Sequence, residues 1–320
     1  MGRRILFHHH LFKNAGTTVD ACLERSFGGQ FVTFDSAVAW HTYSANDVAA
    51  RIREEPSAQA FSSHQVALLP PAIDGIEVDR LIFLRHPIDR VRSVYSFERR
   101  QKADSPGARM ASQTDLAGYV RWRLETADPT VVSGFQTARL SAVRVTPPGA
   151  SASPRGTGPQ AALAALKELE LIGVVERLDE SLCLLELELK QHWPTLDLAY
   201  ISANVDPQRA NDLEQRIASV RASLPSDLWN NLEERNRADL ECHTIAGQRL
   251  DSAIRGTANF SAHLGAFRER CAALAARNSS WASRLRRSGR NRVVPGNPAG
   301  SQEPDAGAQS SSRTPGTSRP

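Results

Sequence analysis

The sequence has few cysteines, and their spacing builds no site. The four are Cys22, Cys183, Cys242 and Cys271, and no C-x-x-C pair occurs among them. This spacing excludes a disulfide framework and a thiolate zinc centre. We therefore expect four reduced thiols, as is typical of a protein of the cytoplasm.

Long apolar runs are also missing. No stretch approaches the roughly 20 consecutive apolar residues of a membrane span. Met1 leads within a few residues into a strand-like segment, and no apolar leader intervenes. We expect a cytoplasmic protein without a membrane span.

The body of the chain lacks an excess of charge of either sign. Six arginines and two acidic residues lie between 286 and 320, so the other 285 residues hold 33 basic and 33 acidic side chains. A neutral body with a basic end is not the electrostatic footprint of a protein that binds nucleic acid. We expect no nucleic-acid partner.

Two segments lack apolar periodicity. Residues 146–160 are rich in proline, glycine, serine and alanine, which predicts a mobile loop. Residues 286–320 contain sixteen glycines, prolines or serines, and a segment of this composition buries too little apolar surface to offset its ordering entropy. We expect one domain over residues 1–285, followed by a disordered basic tail at 286–320.

The rest of the sequence alternates between strand-like and helix-like stretches. Short apolar runs predict strands at 4–7, 59–62, 80–84 and 171–175. Apolar residues recur at helical spacing in 19–27, 88–95 and 178–189, and residues from 203 to about 285 are helical in pattern. This order is typical of an α/β fold with a central, mostly parallel sheet and a helical C-terminal part.

The first chemical signal is the segment from His10 to Thr18, between the first strand and the first helix. Thr17 is a fair N-cap, with Asp20 three residues on. A helix N-terminus presents free backbone N–H groups and the positive end of the helix dipole, which an anionic phosphate requires. Lys13 adds a movable cation. The Walker A pattern is absent because this lysine precedes Gly16, which weighs against an ATPase.

The second signal follows the strand at 80–84. Pro87 suits the first helical position, so Arg85 lies where the strand ends and the helix begins. Ser93 lies on the polar stripe of that helix, so the two side chains can face a common ligand. Because the carboxyl ends of parallel strands meet at one edge of a sheet, we expect both motifs to contact one ligand with two separate anionic groups.

These motifs resemble those of a known family. FKNAGTT (12–18) and LRHPIDRVRSVYSF (84–97) resemble the 5′-phosphosulfate loop and the 3′-phosphate motif of sulfotransferase family 2, the carbohydrate sulfotransferases similar to heparan sulfate 2-O-sulfotransferase. Residues 133–140 and 171–181 resemble two further segments of that family. Asn236 and Asp239 resemble its Asn-x-x-Asp. The resemblance extends over residues 3 to 255, and its departures include Asn14 and Ala15 in place of the commoner Thr and Gly.

The resemblance implies a three-layer fold like that of P-loop NTPases. It also implies transfer of the sulfuryl group of 3′-phosphoadenosine 5′-phosphosulfate to a hydroxyl of a carbohydrate or glycan-like acceptor, without a metal. The 5′-phosphosulfate would be bound by the loop, and the 3′-phosphate by Arg85 and Ser93. The loop residues are Lys13, Asn14, Ala15, Gly16, Thr17 and Thr18.

Sulfuryl transfer requires a base, because the acceptor hydroxyl loses a proton as it attacks. His64 follows the strand at 59–62, is expected at the same edge and matches the family's catalytic histidine; His41 is the alternative. Lys13 would stabilise the charge that develops on the leaving nucleotide. Consecutive strand residues point to opposite faces, so the run His8 to His10 does not converge on one metal ion. The competing readings are a P-loop-type metabolite kinase and a non-catalytic nucleotide-binding protein, and the oligomeric state stays open.

Overall fold

The chain folds around one central sheet. The computed structural model describes residues 2–38, 41–125, 129–141, 158–201 and 212–287, with side chains described as far as 278. Six strands lie within these ranges: β1 (Arg4–His9), β2 (Phe31–Thr33), β3 (Ala60–Ser63), β4 (Ala72–Ile73), β5 (Ile76–Leu84) and β6 (Leu171–Val174).

Helices make up most of the remaining described chain. They are α1 (Gly16–Phe27), α2 (Ala45–Glu54), α3 (Pro87–Arg100), α4 (Pro106–Gln113), α5 (Leu116–Glu125), α6 (Phe135–Ser141), α7 (Pro159–Glu168), α8 (Leu178–Leu189), α9 (Leu213–Ala222), α10 (Ser226–Arg235), α11 (Arg237–Gly256) and α12 (Phe260–Arg287). The expected α/β class is confirmed, and so is the helical C-terminal part over the described residues 212–287.

The sheet is mixed. Its order is β2-β3-β1-β5, with β6 parallel to the C-terminal half of β5 and β4 antiparallel to its beginning. Asp74 and Gly75 join β4 to β5, and both have positive φ, as a two-residue hairpin turn requires. This Asp-Gly hairpin adds an antiparallel strand to a sheet that the sequence predicted as mostly parallel. The strands β2 and β4 were not among those predicted.

Alternation along β1 divides the core between the two faces of the sheet. Leu6 packs in a cluster with Val19 and Leu23 of α1, whereas Phe7 packs in a cluster with Val48 of α2. Successive strand residues face opposite sides. His8, the last even-numbered residue of β1, therefore also faces α1.

Several expectations concern residues near the gaps. A mobile loop was predicted at 146–160, and residues 146–157 of it lie outside the described residues. The last two residues of this prediction, from Pro159, already belong to α7, because proline is suited to a first helical turn. A disordered tail was predicted from residue 286. Helix α12 extends to Arg287, and residues 288–320 lie outside the described residues. Among the helices of the described ranges, none combines the length and the apolarity needed to cross a membrane.

Candidate functional site

The two predicted motifs meet at the carboxyl edge of the sheet. His9 pairs in register with Ser63 of β3 and with Ile82 of β5, so the three strands end side by side. Their following segments are also bonded to one another. Asn14 Nδ2 donates to the carbonyl of Phe83 at 2.8 Å, and Arg85 Nη1 donates to the carbonyl of Lys13 at 2.9 Å.

The loop after β1 has an unusual backbone. Lys13 and Ala15 have φ values of 64° and 63°, a left-handed conformation that non-glycine residues adopt rarely and that is concentrated at functional sites. The loop leads into α1, where the N–H of Thr18 donates to the carbonyl of Ala15 at 3.0 Å, so Gly16 and Thr17 carry the N–H groups that have no acceptor within the helix. Thr17 is exposed and Thr18 is half-buried at this helix end. A loop that leads into a helix N-terminus in this way is a candidate anion site.

The predicted cap of α1 is wrong. The N-cap is Ala15, it forms no side-chain hydrogen bond, and Thr17 lies inside the helix. Asp20 does not close a capping box with Thr17. Its carboxylate accepts hydrogen bonds from Nδ1 of His8 at 2.6 Å and Nδ1 of His10 at 2.8 Å. The left-handed Ala15 lets the helix start earlier and frees Asp20 to turn toward β1.

Gly16 is required by the close approach of His10. A Cβ at position 16 would lie 1.9 Å from Nε2 of His10, far inside van der Waals contact. The imidazole ring therefore lies directly against the backbone of the loop. Any larger residue at this position displaces either the ring or the loop.

Lys13 extends from the loop toward α3. Its Nζ lies 4.4 Å from the ring centroid of Phe97, within the range of a cation–π contact. Asn14, by contrast, is buried, and its amide also donates to Oε1 of Gln136 at 2.7 Å. The side chain of Asn14 thus ties the loop to the fold, whereas Lys13 supplies its positive charge.

Arg85 is buried, which the sequence did not predict. Its Nε and Nη2 donate to Oδ2 of Asp89 at 2.9 and 2.8 Å, and Nη1 donates to the Lys13 carbonyl. Arg216 approaches the other oxygen of Asp89 at 2.9 Å. These contacts use three of the five N–H groups of Arg85. Ser93, half-buried, lies one helical turn beyond Asp89 on the same face of α3.

Gln136 joins the two motifs from the side. Its Oε1 accepts from the backbone N–H of Arg85 at 2.8 Å, and its Nε2 donates to the Arg85 carbonyl at 2.8 Å. Asp239 accepts from the backbone N–H groups of Gln136 and Thr137 at 3.0 and 2.7 Å and so caps α6. Asn236 accepts from the N–H of Gly134 at 3.2 Å. The Asn-x-x-Asp segment therefore fixes the helix that presents Gln136.

His64 lies at the same edge and is held by Asp35. Nδ1 of His64 is 2.8 Å from Oδ2 of Asp35, and the backbone N–H of His64 donates to Oδ1 at 2.9 Å. Ser63 Oγ also donates to Oδ1, at 2.9 Å. Burial raises the pKa of Asp35, but the hydrogen bonds from His64 and Ser63 outweigh it and hold that pKa below its ordinary value.

This contact defines the chemistry of His64. With Nδ1–H bonded to a carboxylate, the neutral ring carries its lone pair on Nε2. His41, the alternative base, is exposed and packs edge-on against Tyr43 at 4.4 Å between ring centroids. The geometry thus favours His64 as a proton acceptor.

His8 and His9 at the end of β1, and His10 directly after it, divide between two faces, as predicted. His9 packs beside Phe7 on the α2 side, and burial lowers its pKa to about 3. His8 and His10 share the other face with Asp20, and one ligand atom from each of these three residues lies within 4.8 Å of the others. The pattern of alternate strand positions in the sequence carried this signal.

A half-buried histidine, His86, lies beside Arg85. The backbone N–H of His86 donates to Oε1 of Glu176 at 2.8 Å, and Nε2 of His243 is 3.0 Å from Oε2. Burial and the neighbouring His243 lower the pKa of His86 to about 4. Glu176 belongs to the 171–181 segment, so this segment anchors the start of α3.

Fold and site together define an α/β protein with a basic loop, a helix N-terminus and a His–Asp pair at one sheet edge. No family model matches the chain. An uncharacterized protein of Archaeoglobus fulgidus is 35% identical over 246 residues, which are 75% of this chain and 94% of the archaeal protein. The chain belongs to the family of that archaeal protein.

Proposed function

We propose that the chain is a sulfotransferase with a P-loop-related fold. It would transfer the sulfuryl group of 3′-phosphoadenosine 5′-phosphosulfate to a hydroxyl of a carbohydrate or glycan-like acceptor. The acceptor class rests on the resemblance to the carbohydrate sulfotransferases. The observation that carries the proposal is the His64–Asp35 pair beside the loop of Lys13 and Gly16.

The loop supports binding of the 5′-phosphosulfate. A helix N-terminus favours a bound anion, and α1 begins at Gly16 directly after Lys13, which adds a full charge within the same loop. Thr17 and Thr18 contribute hydroxyls at the helix end. Asn14 contributes indirectly, because its buried amide keeps the loop in its left-handed conformation.

Arg85 and Ser93 support binding of the 3′-phosphate. Three N–H groups of Arg85 bind Asp89 and Lys13, and its two remaining guanidinium protons, one on each Nη, are donors for a phosphate. The link to the Lys13 carbonyl also couples the two anion sites. A ligand that carries both anions satisfies both motifs.

The chemical step follows from these positions. A bond forms between the acceptor oxygen and sulfur, and the bond between sulfur and the 5′-phosphate oxygen breaks. His64 Nε2 takes the hydroxyl proton, and Asp35 stabilises the imidazolium. Lys13 stabilises the negative charge on the departing adenosine 3′,5′-bisphosphate.

Nucleotide specificity tests the proposal. We expect the protein to bind adenosine 3′,5′-bisphosphate at least tenfold more tightly than ADP, because a charge-assisted contact contributes about 1.5–3 kcal/mol. Titration calorimetry of both nucleotides, followed by incubation of labelled donor with saccharides, glycolipids and small alcohols, gives the answer. Equal affinity for the two nucleotides, or phosphoryl transfer from ATP, would favour the metabolite kinase.

A further inference from the structure

Three imidazole rings form a row at the ends of β1 and β3. The ring centroids of His8 and His10 are 5.3 Å apart with 26° between planes, and those of His10 and His64 are 3.7 Å apart with 31° between planes. His10 lies directly after β1, where its N–H still donates to the carbonyl of Ser63 at 3.2 Å, so the strand's alternation places it on the same face as His8. His64 joins the row because β3 runs parallel beside β1.

Asp20 holds the rings of His8 and His10 in place. Its two oxygens lie 2.6 and 2.8 Å from Nδ1 of His8 and Nδ1 of His10. In a tetrahedral site, ligand atoms that share one metal ion at 2.0–2.2 Å are separated by about 3.3–3.6 Å, so these contacts are too short for a pair of metal ligands and have hydrogen-bond lengths. Asp20 therefore acts here as an acceptor for two Nδ1–H groups.

The charge state of the row follows from burial. Burial raises the pKa of Asp20, but His8 and His10 outweigh it and hold that pKa far below its ordinary value. Burial lowers the pKa of His10 despite the opposing effect of Asp20, and His64 and His8 lower it further. His10 is thus neutral at neutral pH, with Asp20 facing it from α1, His8 from β1 and His64 from the end of β3.

His10 also separates His64 from the loop. One edge of its ring lies against Gly16, so closely that a Cβ there would be 1.9 Å from Nε2, and its face lies against the ring of His64. The position of His64 relative to the loop is therefore set by one imidazole ring. A rotation of that ring moves His64, the loop or both.

We infer that His10, held by Asp20, is a positioning residue that fixes the ring of His64 relative to the loop at the start of α1. The inference rests on the proposed function for its catalytic meaning, but the contact itself is independent of it. Asp20 acts through His10 and not on the substrate. Because His10 is neutral and donates its Nδ1–H to Asp20, the proton acceptor of the His10–His64 pair is His64.

The test is a pair of variants and their combination. In Asp20→Asn, one amide oxygen replaces the two carboxylate oxygens, so the side chain no longer accepts from both Nδ1–H groups. We expect kcat to fall by about 10- to 100-fold with the KM for donor within threefold. In the His10→Phe background, the same change should cost less than threefold, because its route to His64 is already cut. Glu24→Gln, on the exposed face of α1, is the matched control and should leave kcat unchanged.

Nitrogen NMR of the histidines reads the contact without any substrate. In the parent, His10 should be a neutral Nδ1–H tautomer at pH 7, and Asp20→Asn should shift the ring resonances of His64. Unchanged His64 signals in Asp20→Asn, or equal losses of kcat in the parent and the His10→Phe background, would overturn the inference. If the parent transfers no sulfuryl group, the proposed function fails, but the NMR spectra still test whether Asp20 and His10 position His64. If His10→Phe does not fold, the spectra of Asp20→Asn alone test this contact.

Discussion

Asp35 binds His64 twice, once through Nδ1 of the ring and once through the backbone N–H. Such a carboxylate fixes both the tautomer and the plane of the imidazole. We expect Asp35→Asn to reduce sulfuryl transfer by about 100-fold or more while nucleotide affinity stays within a few-fold. Steady-state kinetics with donor titration separates the two effects. Transfer at the parent rate in Asp35→Asn would remove Asp35 from the site.

The packing of His10 on Gly16 predicts a specific intolerance. Gly16→Ala should destabilise the fold by about 1–3 kcal/mol, because the new methyl group overlaps the buried ring. Donor binding should weaken as the loop moves. Gly247 in α11 is the matched control, since no atom lies within 4 Å of its added Cβ, and Gly247→Ala should stabilise by about 0.5–1 kcal/mol. Urea unfolding measures both; equal effects of the two substitutions would contradict the model of the loop.

The buried pair of Arg85 and Asp89 predicts strong coupling. Arg85→Ala removes an arginine from a buried carboxylate that also contacts Arg216, and it should cost about 3 kcal/mol or more of unfolding free energy. Asp89→Ala should cost a similar amount, and the double variant less than the sum. The cycle is measured by denaturant unfolding. Additive losses would show that the pair does not stabilise the start of α3.

His9 and His86 predict sensitivity to acid. Their pKa values of about 3 and about 4 lie below the ordinary 6.5, so the unfolded chain binds protons that the folded chain rejects. Their contribution to stability is complete above pH 6.5 and is lost as the pH falls through the window from 6.5 toward those values. When the pH falls from 7.5 to 4.5, we expect the free energy of unfolding of His9→Leu to decrease by roughly 2 kcal/mol less than that of the parent. An equal acid slope in both proteins would contradict this assignment.

Local patterns in the sequence were sufficient to predict the central strands and to predict that the two motifs lie at the same edge of the sheet. After their first residue, an arginine in each, the runs at 4–7 and 80–84 are apolar and have few alternatives to burial, and parallel pairing then determines which loops share an edge. β2 was missed because it is three residues long and only half-buried. β4 is shorter still, although the Asp-Gly turn beside it is a strong hairpin signal.

The site residues that sequence reasoning missed act at long range. Asp35 reaches His64 across 29 positions, and no spacing rule connects a carboxylate after one strand to a histidine after another. Asp20 was assigned to a cap because it follows Thr17 by three residues, and only the left-handed Ala15 reverses that choice. Arg85 was expected to face a ligand anion, but it is buried against Asp89, four residues further along α3, and Asp89 also contacts Arg216 from a distant part of the chain. Tertiary contacts of this kind overrule local patterns.

The central claim is that His64 is the base of a sulfuryl transfer. The most direct measurement is the single-turnover rate of label transfer from 3′-phosphoadenosine 5′-phosphosulfate to an accepted saccharide, in the parent and in His64→Ala, across a range of pH. The account predicts a parent rate that rises as the imidazole loses its proton, and a variant that binds the donor within a few-fold but transfers 10² to 10⁴ times more slowly without that rise. Transfer by His64→Ala at the parent rate with the same pH profile would contradict it.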